Sequence, residues 1–178
     1  MADMSGVKFL QKYKITLKVK SKSNFMKALG FAQTLFSKIT YQQFMNSYTS
    51  TIGSTIYSDK EWIDRVTQGT ADIDDIALLV HETQHVLQFR NGSWKKYVTS
   101  GGRALLEAES IAQANRFRLA VSDADHIKTR HHIINQLTQY GCKLVDCIAA
   151  ANYVEIAQQE PLTTNEMAFN AIGELNET

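Results

Sequence analysis

From Lys14 to Lys20 the chain reads K-I-T-L-K-V-K, a strict alternation of apolar and polar residues. That period predicts a strand, with Ile15, Leu17 and Val19 turned inward and Lys14, Lys18 and Lys20 toward water. Lysines along a strand also discourage stray edge pairing, so the basic stretch from Lys8 to Lys22 reads as a solvated face rather than a docking arm. After Ser23, a good N-cap, Phe25, Leu29, Ala32 and Phe36 recur at helical spacing and predict an amphipathic helix over 24–37 that buries this stripe. Between Phe44 and Trp62 the chain is rich in Thr, Ser, Tyr and Ile, with Gly53 and no helical period, which predicts a strand pair or one bent strand. A loop is expected from Asp59 to Thr70, with a helical turn around Trp62–Val66.

Downstream the pattern becomes helical. Asp72 can cap a helix with Asp74 and Asp75 in its first turn and Ile73, Ile76, Leu79, Val80, Val86 and Leu87 as apolar positions. Arg90 falls in its last turn, and Asn91-Gly92 is a conventional stop. Ser100-Gly101-Gly102 interrupts again before a second long helix from Arg103 to about Ala120. A third helix is expected from Asp123 or Asp125 to Gly141, a further helical stretch over 142–159, a break at Pro161, and a capping box at Thr163 and Glu166. The fold class is therefore α+β: one domain over 1–178, with a β-containing N-terminal half (1–70) and a helical half (71–178).

Composition narrows the options. Hydrophobic residues make up 44% of the 178 and charged residues 21%, which suits a folded globular chain. With 19 Lys and Arg against 18 Asp and Glu the net charge is +1, so no overall field draws the chain to nucleic acid or an anionic membrane, and any binding must come from a local site. No charged-then-apolar leader and no apolar run long enough to span a bilayer is present; a cytoplasmic location is expected. Cys142 and Cys147, five apart on a helix, diverge by roughly 140° and read as small buried apolar residues rather than a disulfide.

The local site is His81-Glu82-Thr83-Gln84-His85, an HExxH on the apolar helix. Four helical residues turn about 400°, so His81 and His85 project only ~40° apart, one turn from each other, and can share one metal ion. Glu82 lies about 100° round, too far off-axis to be a ligand but close enough to take a proton from a water beside the metal and pass it to a leaving amine. Chance placement yields about 0.007 such motifs in a chain of this composition, and burying two imidazoles and a carboxylate as mere core residues costs several kcal/mol unless something satisfies all three. Nitrogen and carboxylate donors favour one Zn2+, and a catalytic site needs a third protein ligand plus an open position. Glu107 and Glu109 on the next helix point about 200° apart, and spacing does not choose between them.

The runs TIGSTIYS (51–58), LLVHETQHVLQ (78–88) and LEAESIA (106–112) resemble the small metallopeptidase domains of the gluzincin, or peptidase MA, superfamily. The likeness is strongest to the zincin domains of contractile injection systems and related phage and bacterial proteins, and it covers Ser50 to Ala112. It implies a minimal zincin core, with a small mixed or antiparallel sheet packed on the HExxH helix and a Glu-bearing helix, hydrolysing peptide bonds of a peptide or protein substrate. His81, His85 and Glu107 would be the zinc ligands, Glu109 the alternative third ligand, and Glu82 the general base. It also implies that the strand at Ser54–Tyr57 is the sheet edge beside the cleft, with Tyr57 a candidate contact for an extended peptide. Where the family places an Asp four residues after the ligand Glu, to orient a metal-bound histidine, this chain has Ile111, so that partner must come from elsewhere. For an oxyanion donor the C-terminal helices offer His126, His131, His132, Tyr140 and Tyr153. The other function in keeping with the resemblance is a catalytically silent module that binds zinc for structure or assembly in a phage or injection-system particle.

Overall fold

A computed structural model describes residues 5–34, 38–121 and 123–159, and in these the chain is an α+β fold with far more helix than strand. Helix α1 (Ser5–Lys12), for which the sequence reading had no counterpart, sends Phe9 and Leu10 into a core with Ile56, Trp62, Val66 and Leu79. Strand β1 (Thr16–Val19) follows the expected alternation, with Ile15 buried before it and Lys18 exposed. The alternation then ends. Residues Lys20–Lys22 form a 3-10 turn, and the altered backbone direction carries Lys20 inside, where it is fully buried rather than solvated.

Helix α2 (Asn24–Gln33) is capped by Ser23, whose Oγ accepts from the Met26 amide at 3.2 Å. Its buried stripe is rotated by one residue from the expected one. Met26 and Gly30 are buried, Leu29 is half-buried, Phe25 and Ala32 are exposed, and Phe36 lies outside the described residues. The reason is steric: the Phe44 ring sits so close to Gly30 that a side chain there would meet it, so α2 turns its smallest residue to helix α3 (Tyr41–Ser47). The expected strand pair is narrower than Phe44–Trp62 and comprises β2 (Ser50–Ile52) and β3 (Thr55–Ser58), joined at Gly53 with φ 61°. The sheet order is β1-β3-β2: β3 is central, parallel to β1 and antiparallel to β2, with Ile56 opposite both Leu17 and Thr51.

The stretch expected as a loop after Asp59 is mostly helix α4 (Lys60–Gln68), capped by Asp59 and stopped by Gly69. Trp62 and Val66, one turn apart, supply its buried face. Helix α5 (Ile73–Arg90) begins at the expected cap: Asp72 accepts from the Asp75 amide at 2.8 Å, and the Asp75 carboxylate accepts in return from the Asp72 amide. Apolar residues surround α5. Leu79 and Val86 face the α1–α4–sheet core, while Ile76, Ala77 and Val80 pack with Phe117. A helix buried on several sides can hold polar residues only where they satisfy one another, and that condition shapes the site.

A 3-10 segment (Ser93–Val98) leads to helix α6 (Ser100–Ala120), which packs along α5. The Gly101-Gly102 pair does not interrupt α6; it belongs to its first turn. A Cβ at 102 would collide with the Lys96 carbonyl, so glycine allows the 3-10 segment to lie against the helix start. The third predicted helix starts later than expected: a 3-10 turn covers Ala124–His126, and α7 spans Arg130–Gln139. Helix α8 (Leu144–Ala157) completes a second core with α6 and α7, in which Ala104, Ala108, Ile111, Leu137 and Val154 meet the buried Cys142 and Cys147. The capping box at Thr163 and Glu166 lies outside the described residues. No helix among those residues is long and apolar enough to cross a membrane.

Candidate metal centre

His81 and His85 project from one face of α5, and their Nε2 atoms stand 3.2 Å apart. From α6, Glu107 presents one carboxylate oxygen to each: Oε2 is 3.5 Å from His81 Nε2, and Oε1 is 3.5 Å from His85 Nε2. Ligand atoms held about 2.0–2.1 Å from a tetrahedral zinc stand roughly 3.4 Å from one another, and one donor atom from each of the three side chains lies within 4.8 Å of the other two, which is near that spacing. All three are buried. Among the described residues no further His, Cys, Asp or Glu joins the cluster. Glu109, the alternative ligand, points elsewhere.

Electrostatics in the ion-free site follow from this packing. Burial alone would lower the pKa of His85, but the Glu107 charge and hydrogen bond, with help from Glu82 and Gln88, outweigh it and raise the imidazole to about 9. For His81 burial wins over its Glu107 hydrogen bond, and the pKa is lowered. Burial would raise Glu107, yet His85 and the hydrogen bonds of both histidines hold its carboxyl well below the usual range. Without an ion the site is therefore an imidazolium, a neutral imidazole and a carboxylate. Any metal must displace the His85 proton.

Orientation of His85 comes from its own helix. Its Nδ1 donates to Gln88 Oε1 at 2.8 Å, which turns Nε2 to the cluster. The Gln88 amide is itself fixed, since its Nε2 donates to the Leu106 carbonyl at 2.9 Å and to Glu109 Oε2 at 2.8 Å. Ser110 Oγ lies 3.2 Å from the same Nδ1. Ile111 is buried in the α6–α8 core and offers His85 no polar group; the side chain that orients the ring is Gln88. Tyr97 from the 3-10 segment donates to Glu107 Oε1 at 2.8 Å; burial, then the Glu107 charge, raises its pKa well above the ordinary value and keeps it a donor.

Glu82 is buried beside the cluster but outside it, and Thr51 Oγ1 donates to its Oε2 at 2.6 Å. Thr51 belongs to β2. This corrects the expected sheet edge: β3, which holds Thr55, Ile56 and Tyr57 of the Ser54–Tyr57 stretch, is the central strand, and Tyr57 packs against the core of Met26, Ile39, Phe44 and Met45. The strand beside the site is β2. It is anchored by Lys20, whose Nζ donates to the carbonyls of Phe44 and Tyr48, at 2.7 Å each, and to Ser50 Oγ at 2.9 Å, with the Phe44 ring 3.6 Å away. Burial lowers the Lys20 pKa to about 8, against the pull of Glu82.

The centre opens on a cleft of two lobes that meet at Tyr48, Thr49, His81, Glu82 and Tyr140. The smaller, about 360 Å³, is walled by Leu29, Ile39, Phe44, Ile52 and Phe89. The larger, about 710 Å³, includes Asn115, Lys128 and Gln136. Of the proposed oxyanion donors, Tyr140 lines both lobes and accepts from Gln136 Nε2 at 3.0 Å, which leaves its own O–H free to donate. His126 and His132 line the larger lobe only; His131 is exposed, and neither it nor Tyr153 lines the cleft. Gln88 was within reach of sequence reasoning, being three residues past His85 on one helical face. Thr51, Tyr97 and Lys128 carry no local signal of their roles.

In comparisons with known proteins, no family model, curated protein or solved structure matches this chain.

Proposed function

We propose that this chain is a zinc-dependent peptidase. The observation that carries the reading is the convergence of His81, His85 and Glu107 at ligand spacing, with a non-ligating Glu82 held next to them by Thr51. Zinc held by His81, His85 and Glu107 would supply Lewis acidity, activating a water near neutral pH and polarising a scissile carbonyl. Glu82 would take a proton from the attacking water at Oε1, the oxygen not engaged by Thr51, and return it to the leaving amine. Tyr140 donates its hydroxyl hydrogen to the developing oxyanion. An extended peptide aligns along the free edge of β2 and places one apolar side chain in the smaller lobe.

The test compares wild type with Glu82→Gln for zinc content and for cleavage of a whole-proteome peptide mixture. About one zinc per chain in both proteins, with cleavage only by wild type, is the expected result. Zinc in both with no Glu82-dependent cleavage contradicts hydrolysis and supports a module that uses the ion for structure or assembly.

A further inference from the structure

The larger lobe of the cleft holds four basic side chains, Arg118, His126, Lys128 and His132. Two have carboxylate partners, and the imidazole of His132 has a hydroxyl. Arg118 pairs with Asp74 and with Asp123, His126 Nδ1 with Asp123 Oδ1 at 2.5 Å, and His132 Nδ1 with Thr129 Oγ1 at 3.1 Å. Lys128 differs. Its Nζ makes one hydrogen bond, 2.7 Å to Gln136 Oε1, and among the described residues no carboxylate pairs with it.

The fold also fixes where this lysine sits. Asn115, buried in α6, accepts from the Lys128 amide at 2.9 Å and donates to its carbonyl at 3.2 Å, while its second amide hydrogen goes to Gln158 Oε1 at 2.9 Å. A buried asparagine with every bond devoted to residues 128 and 158 holds the backbone of the cleft wall in one place. Lys128 thus offers an ammonium with two hydrogens that no described residue accepts, in the same cleft as His81 and Glu82; desolvation lowers its pKa, against the pull of Glu107 and Glu82.

We propose that Lys128 receives a carboxylate of the substrate, from an acidic side chain or from the peptide's C-terminus. One ammonium without an ion-pair partner matches one carboxylate; a doubly charged phosphate calls for the arginine fork that Asp74 and Asp123 already occupy. The inference rests on reading the cleft as a peptide site and gives the class of peptide it prefers: one carrying an acidic group that enters the larger lobe.

Binding tests it independently of turnover. The full chain carrying Glu82→Gln, with zinc present, is titrated with amide-capped peptides in which Glu replaces Gln at each position in turn, and with the neutral peptide bearing a free C-terminal carboxylate. We expect one acidic placement to bind about tenfold tighter than its neutral counterpart. That preference disappears in Lys128→Met and shifts to a Lys-bearing peptide in Lys128→Glu. Which peptide gains the advantage tells side chain from C-terminus. Equal binding of acidic and neutral peptides, no binding of any peptide, or an acid preference that survives Lys128→Met overturns the proposal. Glu82-dependent cleavage by wild type without acid preference defeats only this inference, and Lys128-dependent acid binding without cleavage defeats only the hydrolytic reading.

Discussion

On the helical wall of the cleft, His81, His85 and Glu107 are held by many short contacts from two adjoining helices and the segment between them, through Gln88, Glu109, Ser110 and Tyr97. On the strand wall, β2 is laddered to β3 along one edge, and its start is tied to the end of α3 by one buried cation, Lys20. The helical wall is redundant, so losing one partner there weakens the site by degrees. The strand wall has a single cation joining β2 to α3, and losing it leaves the segment that orients Glu82 held by its ladder to β3 alone.

The largest effect is therefore expected at Lys20. Lys20→Ala leaves two buried carbonyls and Ser50 without their donor and opens a cavity, which should lower stability by about 3 kcal/mol in denaturant unfolding. A loss below about 1 kcal/mol would show that the strand wall has other support. The same lysine has a pH signature. Its folded pKa of about 8 lies below the ordinary 10.5, so between these values the unfolded chain binds a proton that the folded chain has released. Stability should rise with pH across that window in wild type relative to Lys20→Met; a flat difference between the two proteins contradicts a charged, buried Lys20.

On the helical wall the effect is smaller and graded. Gln88→Leu removes the acceptor that aims His85, and zinc affinity should fall about 10–100-fold with the fold intact. Glu109→Ala, which acts only through Gln88, should cost a few-fold at most. Equal losses in the two variants would place Glu109 closer to the ion than its contact with Gln88 suggests.

Local periodicity made half of the site legible. The pairing of His81 with His85 follows from one helical turn, and so does the offset of Glu82. The choice between Glu107 and Glu109 does not, because it depends on how α6 is rotated about its axis, which packing of Ala104, Ala108 and Ile111 against α7 and α8 decides. Lys20 was misread for a related reason: alternation predicts outward lysines only while the strand lasts, and β1 ends at Val19. The stripe of α2 shifted because Gly30 accepts a close neighbour that the apolar pattern gives no hint of. Thr51 with Glu82, and Asn115 with Lys128, join residues far apart in sequence, and no period encodes such a meeting.

The central claim is that two histidines and Glu107 form one ion site, and titration of zinc into the metal-free chain by calorimetry tests it most directly. One saturable ion per chain is expected, with release of the His85 proton on binding and therefore affinity that strengthens as pH rises toward about 9. Binding should vanish in His81→Ala and Glu107→Ala and persist in Glu82→Gln and Glu109→Ala. Zinc that fails to bind wild type, or that binds Glu107→Ala as tightly, contradicts it.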